Sequence, residues 1–221
     1  MTGRGVVIDF DFAVLNGAEL LFKTATGFLR ELDEIALDDV LEARYLAGRT
    51  YQDGLARLFA SVKTKKTAQK AARDLAAAFG AAVTGAAPGA VTVQFRNFVK
   101  ALTDAGLSVA IATRADAEQV RPAFESVLGE RVILYHEESD GYGFPTWEGW
   151  RRACMALEMR HALVRAVAGS GFGVKSALVA GMRSVAVTND RVAYQDFGGA
   201  GEVVEELSGK TAKKLIATLG V

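Results

Sequence analysis

A break in rhythm constrains this chain more than any other feature. Gly5-Val-Val-Ile-Asp-Phe-Asp11 is a short apolar run ending in acid, which reads as a buried strand with polar groups at its C-terminal end. Residues 18–79 then read as helix throughout. Leu20, Leu21, Phe28 and Leu32, and later Leu55, Leu58, Phe59 and Val62, set apolar side chains three and four apart, the spacing of one helix face. Residues 68–82 are helical by alanine propensity alone. Lys63-Thr-Lys-Lys66 between them reads as a solvated basic turn.

Strands and helices begin to alternate only after Pro88-Gly89. The pattern predicts a helix over 91–105 stopped by Gly106, a strand over 107–113, a helix from about 117 to 128 and a strand over 132–135. A helix over 147–157, a strand over 162–168, a helix over 173–180, a strand over 184–188 and a last helix over 212–219 follow. Strands joined by helical crossovers imply a parallel sheet covered on both faces. The expected fold is therefore α/β: a Rossmann-like parallel sheet core with helices on both faces and an inserted helical cap. Residues 1–16 and 87–221 would form the core and residues 17–86 the cap. Ligands of such sheets bind beyond the C-terminal ends of the strands. That directs attention to Asp9, Asp11, Thr113, Arg114, the loop from Glu137 to Asp140, Gly169-Ser170 and Asn189-Asp190.

Charge narrows the partners. Lys+Arg and Asp+Glu both total 26, so no bulk field draws the chain to nucleic acid or to a membrane surface. No apolar run approaches the roughly 18 residues of a membrane span, and Val6–Ile8 is too short for the apolar centre of a signal peptide. Cys154 is the only cysteine; it forms no intrachain disulfide and suits a reducing cytoplasm. Oligomeric state leaves no trace in the sequence.

Asp9 and Asp11 place two carboxylates two residues apart at a strand end. One such group can attack phosphorus and form an acyl phosphate, while the other protonates the leaving oxygen and then activates water. Acids also end strands for solvation alone. Thr113 suits either a phosphate contact or the N-cap of the helix after it. Arg114 reads as an anion contact or an exposed side chain. Lys175 is expected on a solvated helix face, and Glu137, Glu138 and Asp140 in a solvated acidic loop. His136 and His161 are expected to be structural. Trp147 and Trp150 read as packing against the sheet edge or, alternatively, as an aromatic cover over the site.

The order of these features resembles the haloacid dehalogenase (HAD) superfamily, in particular its phosphatase-like members with a helical cap. The resemblance spans essentially the whole chain. Asp9-Phe-Asp-Phe-Ala13 stands where that family has Asp-x-Asp-Gly-Thr. Val109-Ala-Ile-Ala-Thr113 stands at its second motif, Gly143-Phe144-Pro145 at its Gly-Lys-Pro, and Ala168-Gly169-Ser170 at its acidic fourth motif. Gly173, Ala177, Ala180, Gly181 and Met182 keep the register of the helix that follows. The resemblance implies Asp9 as nucleophile, Asp11 as acid/base, Thr113 as a phosphate contact, and Mg²⁺ as cofactor; Arg114, next to Thr113, is a candidate ligand contact by its position.

The departures fall on the chemistry. Phe144 replaces the lysine, Gly169 replaces a metal-binding aspartate, and Phe12 and Ala13 replace Gly-Thr. Asp9 alone would hold Mg²⁺ only weakly, since such sites use one or two carboxylates together with phosphate and waters. The function expected is a phosphatase-derived, HAD-like hydrolase family protein with weak or no phosphohydrolase activity. It would bind a small phosphorylated or organic anionic metabolite. The alternative is an active phosphatase working through an aspartyl-phosphate at Asp9. If the site has merely decayed, Gly169→Asp with Phe144→Lys should rebuild a Mg²⁺ site. A receiver-like signalling domain also ends a strand in acids, but the helical insertion and the glycine register disfavour it.

Overall fold

The computed structural model describes residues 3–46, 50–136 and 145–220. Gly143, Phe144 and the acids Glu137, Glu138 and Asp140 lie outside them. Among the described residues the chain folds around a six-stranded sheet: β1 (Gly5–Asp9), β2 (Ser108–Thr113), β3 (Val132–His136), β4 (Val164–Ala168), β5 (Arg183–Val187) and β6 (Glu202–Val204). The order across the sheet is β3-β2-β1-β4-β5-β6, and every pairing between neighbours is parallel. β1 is thus central, and the chain reverses its direction of travel across the sheet beside it. Such reversals leave a crevice at the C-terminal strand ends.

Side-chain size separates the two faces of the sheet. Successive residues of a strand point to opposite faces. Val6, Ile8, Val109, Ile111, Val167 and Val185 face one side. They pack on α6 (Val93–Asp104), α7 (Ala117–Phe124) and α10 (Gly209–Leu219), through Phe98, Leu102, Phe124 and Leu215. The other face is mostly alanine: Ala110, Ala112, Ala166, Ala168 and Ala186. That flat surface makes room for α8 (Trp147–Ala156) and α9 (Gly171–Val179), and for the fully buried indole of Trp150. The Trp150 N–H donates to Ser176 Oγ at 3.3 Å, so its polar atom is satisfied. Trp150 therefore packs under the sheet and does not cover the site; Trp147 lies partly exposed beneath the Arg151 guanidinium.

Between β1 and α6 lie a single helical turn, α1 (Phe10–Ala13), and the helical insertion. The insertion comprises α2 (Gly17–Asp33), α3 (Asp39–Leu41) running into a π-helical turn Glu42–Leu46, α4 (Tyr51–Val62) and α5 (Ala68–Ala90). These helices share an apolar cluster of their own, centred on Leu29, Leu55, Leu58 and Leu75. α5 runs four residues beyond position 86 and includes Pro88 in its last turn; the sequence break at Pro88-Gly89 falls inside a helix. No single helix among the described residues is long and apolar enough to cross a membrane.

Candidate active site

β1 ends on Asp9, which caps α1 by accepting from Phe12 N at 3.4 Å. The turn of α1 brings Asp11 round beside it. Both carboxylates are fully buried. Thr113 ends β2 next door, where Ala112 is the register partner of Asp9. The Thr113 hydroxyl donates to Asp11 Oδ1 at 2.7 Å and accepts from Ala115 N at 3.1 Å. Thr113 is thus not an N-cap: Asp116 caps α7, accepting from Gln119 N at 2.9 Å.

Arg114 turns inward. Its Nη1 donates to Asp9 Oδ1 at 3.0 Å and to Asp11 Oδ2 at 2.8 Å. Its Nη2 lies 3.5 Å from Asp9 Oδ2, and its backbone N–H donates to Asp11 Oδ2 at 2.7 Å. The guanidinium also lies over the Phe12 ring, 4.7 Å from its centroid, at the distance of a cation–π contact. The side chain is 13% exposed. The solvent-exposed reading of Arg114 does not hold, because two desolvated carboxylates next to its strand end need a cation.

The electrostatics follow from burial. Desolvation pushes the Asp9 carboxyl above its ordinary value; the charge and hydrogen bond of Arg114 oppose this, and Asp11 adds to it. Burial alone would lower the Arg114 pKa, but the two carboxylates outweigh it and hold the guanidinium charged. With both acids ionised the cluster keeps one net negative charge. Tyr51, the first residue of α4, packs against the insertion's apolar cluster and the core beside it. Burial raises its hydroxyl pKa, which also feels Arg114, Asp11 and Asp9. Tyr51 thus lies close enough on the insertion to feel the site's charges, and the first position of a helix carries no sequence signal for that.

Glycines set how closely the backbone packs around the acids. A Cβ on Gly169, just past β4, would lie 2.0 Å from both the carbonyl carbon and the oxygen of Phe12. A Cβ on Gly17 would lie 2.1 Å from the Asp11 carbonyl oxygen, and one on Gly80 of α5 would lie 2.9 Å from that of Arg114. Position 169 therefore has no space for the aspartate that the resemblance places there. Among the described residues no three His, Cys, Asp or Glu side chains are grouped to hold a metal ion. Among the described residues Asp9 and Asp11 are met by Arg114 and Thr113 and not by a third acid.

Of the other candidates, His136 is the register partner of Thr113 on β3, while Lys175 and Asp190 stand apart from the acid cluster. Lys175 pairs with Asp196 at 3.0 Å, both exposed. His136 ends β3 with its Nδ1 buried and without a hydrogen bond. Asp190 is exposed, while the next residue, Arg191, turns toward the helical insertion. Cys154 is no alternative nucleophile: burial pushes its thiol up to about 12, and only the thiolate reacts.

A doubly wound parallel sheet, two carboxylates at the end of its central strand and a helical insertion directly after them define a Rossmann-like α/β fold with a cap. No known family profile matches the sequence, and no curated protein does. Solved structures do match. CbbY from Rhodobacter sphaeroides, solved with xylulose 1,5-bisphosphate, is 16% identical, with 93% of this chain and 95% of that one covered at a TM-score of 0.67. A β-phosphoglucomutase from Clostridium difficile is 10% identical over 98% of both chains, with a TM-score of 0.71. A HAD hydrolase of family IA, variant 3, from Entamoeba histolytica is 15% identical over 97% of this chain and 99% of that one, with a TM-score of 0.69. This chain shares its fold with these proteins over 93–98% of its length.

Proposed function

We propose that this chain is a HAD-like protein of phosphatase descent with weak or no phosphohydrolase activity. Its core comprises residues 1–16 and 87–221 and its cap residues 17–86, with α5 carrying the cap on to Ala90. The cleft between them keeps a binding role for a small phosphorylated or organic anionic metabolite. The fold shared with HAD hydrolases, one of them from Deinococcus radiodurans solved with bound phosphate, supports the descent. The observation that carries the loss of activity is the bonding of Arg114 to both Asp9 and Asp11.

A nucleophilic carboxylate must have an oxygen free to approach phosphorus. Here Asp9 Oδ1 accepts from Arg114 and Phe12, Asp9 Oδ2 lies 3.5 Å from Arg114 Nη2, and both Asp11 oxygens are engaged. With both acids ionised, a phosphoryl dianion entering this cluster would meet its net negative charge. Two unit charges 4 Å apart repel by about 4 kcal/mol at an effective dielectric of 20. Removing one preorganised charge-stabilising group typically costs about 10²–10³ in rate, and both the lysine and the fourth-motif acid are replaced.

The contrary reading, an active phosphatase using Asp9 and Asp11, is favoured by one feature: both acids and Thr113 do meet at the strand ends. Turnover of a generic aryl phosphate, with Mg²⁺ and with EDTA, separates the two. We expect rates at background for the parent and for Asp9→Asn alike. Brisk hydrolysis that vanishes in Asp9→Asn would establish the phosphatase and end the present reading.

A further inference from the structure

Two of the departures from the family pattern, Phe12 and Gly169, meet at one place. Phe12 stands where the pattern has glycine, and its ring is the platform under the Arg114 guanidinium. Gly169 stands where the pattern has a metal-binding aspartate, and its missing side chain lets the Phe12 peptide pack against β4. Arg114 then reaches the two carboxylates that remain. A site losing its function by drift would have no reason to set a cation on an aromatic support against the same two acids that lack the family's further anionic ligand.

We propose that Arg114 is the resident cation of this site, standing in place of a divalent metal, so that the site is complete without metal. The geometry meets what a cation between two buried acids must do. Nη1 bridges one oxygen of each, at 3.0 and 2.8 Å. Nη2 reaches the second oxygen of Asp9, and Thr113 the second oxygen of Asp11. Each carboxylate oxygen therefore has a donor within 3.5 Å. A metal ion would need oxygens at about 2.0–2.1 Å in near-octahedral array. To make that array it would have to displace Nη1 from both acids and find further ligands that Gly169 does not provide. The ring of Phe12 backs the guanidinium from another side, and Gly80 packs on the Arg114 backbone carbonyl.

The inference goes beyond the proposed function, since it concerns the cation and holds whether or not the site turns over a phosphate. Thermal melts and calorimetric titration of the full chain test it. The parent should show no heat with Mg²⁺, and millimolar Mg²⁺ or EDTA should move its melting temperature by less than about 1 °C. Arg114→Ala should melt lower than the parent. Methylguanidinium at low millimolar concentration, and separately Mg²⁺, should each raise the melting temperature of Arg114→Ala while leaving the parent unchanged. Saturable Mg²⁺ binding to the parent would overturn the proposal, as would an Arg114→Ala that melts like the parent or ignores both cations. Should Arg114→Ala not fold, Arg114→Gln keeps much of the volume without the charge, and the parent titration stands without any variant. Aryl phosphate hydrolysis in EDTA would sink the proposed function and leave this inference intact, whereas Mg²⁺ binding to the parent would sink this inference alone.

Discussion

Gly169 lies against the peptide of Phe12 so closely that a Cβ on residue 169 would sit 2.0 Å from its carbonyl carbon. Residue 169 is not among those with positive φ, so space demands the glycine and backbone conformation does not. Gly169→Ala should therefore destabilise the chain. Overpacking costs typically 1–3 kcal/mol, and about 3 kcal/mol is expected here because the obstructing atoms are backbone with little freedom to yield. A urea melt reads this directly. The same contact corrects the idea that Gly169→Asp would rebuild a Mg²⁺ site: that variant should melt low and bind no Mg²⁺ in calorimetry. A well-folded Gly169→Asp that binds the ion would mean α1 can move aside.

Asp9 gives the chain a pH dependence of definite sign. Burial raises its pKa against the pull of Arg114, so the folded chain keeps the proton to higher pH than the unfolded chain does. Its contribution to stability is full below the ordinary aspartate range, about 3.9, and is lost as pH rises through the raised folded value. Asp9→Asn removes that loss. Melting temperatures of parent and variant should differ little at pH 4, and the difference should grow in the variant's favour toward pH 8. A difference independent of pH would show that Arg114 fully offsets burial.

Arg191, in the loop after β5, ties the core to the insertion. Its Nη1 lies 2.6 Å from Asp39 Oδ1, with the carboxylates of Glu19 and Glu42 each 3.8 Å from its other nitrogens. Its guanidinium carbon is 3.9 Å from the Phe22 ring centroid. Burial raises the Glu42 carboxyl, and Arg191 opposes the rise. Arg191→Ala leaves that acid buried beside Asp39 without its cation. A loss of about 1–3 kcal/mol is expected, read as a lower urea midpoint, with part recovered when Glu42→Gln is added. A midpoint equal to the parent's would mean the cluster is held by packing alone.

The sheet was legible because its strands are buried on both faces and so appear as unbroken apolar runs, such as Val109 to Ala112. β6 was not: Glu202–Val204 is three residues long and partly exposed, too short for any period to show. The end of α5 was hidden by Pro88, which reads as a breaker yet sits in a last turn where few residues follow to suffer from it. In the site, Asp9, Asp11, Thr113 and Arg114 could be singled out because strand ends converge in this fold. That Arg114 points inward could not be read locally, since it depends on acids about a hundred positions earlier in the chain. Phe12 stood out only as a departure, and neither Tyr51 nor Arg191 stood out at all, because each acts through partners on a different element.

Gly17 and Gly80 place the insertion's first helix and its last directly on the peptides of Asp11 and Arg114. The helical segment is therefore not an exchangeable cassette. A chimera that replaced it with helices from another protein would have to bring glycine, or an equal gap, to both contact points, or it would press on the backbone units that carry the acid pair and its cation. Recombination and laboratory shuffling should accordingly succeed with crossovers in the exposed turns between α4 and α5, and fail where the junctions separate either glycine from the peptide it covers.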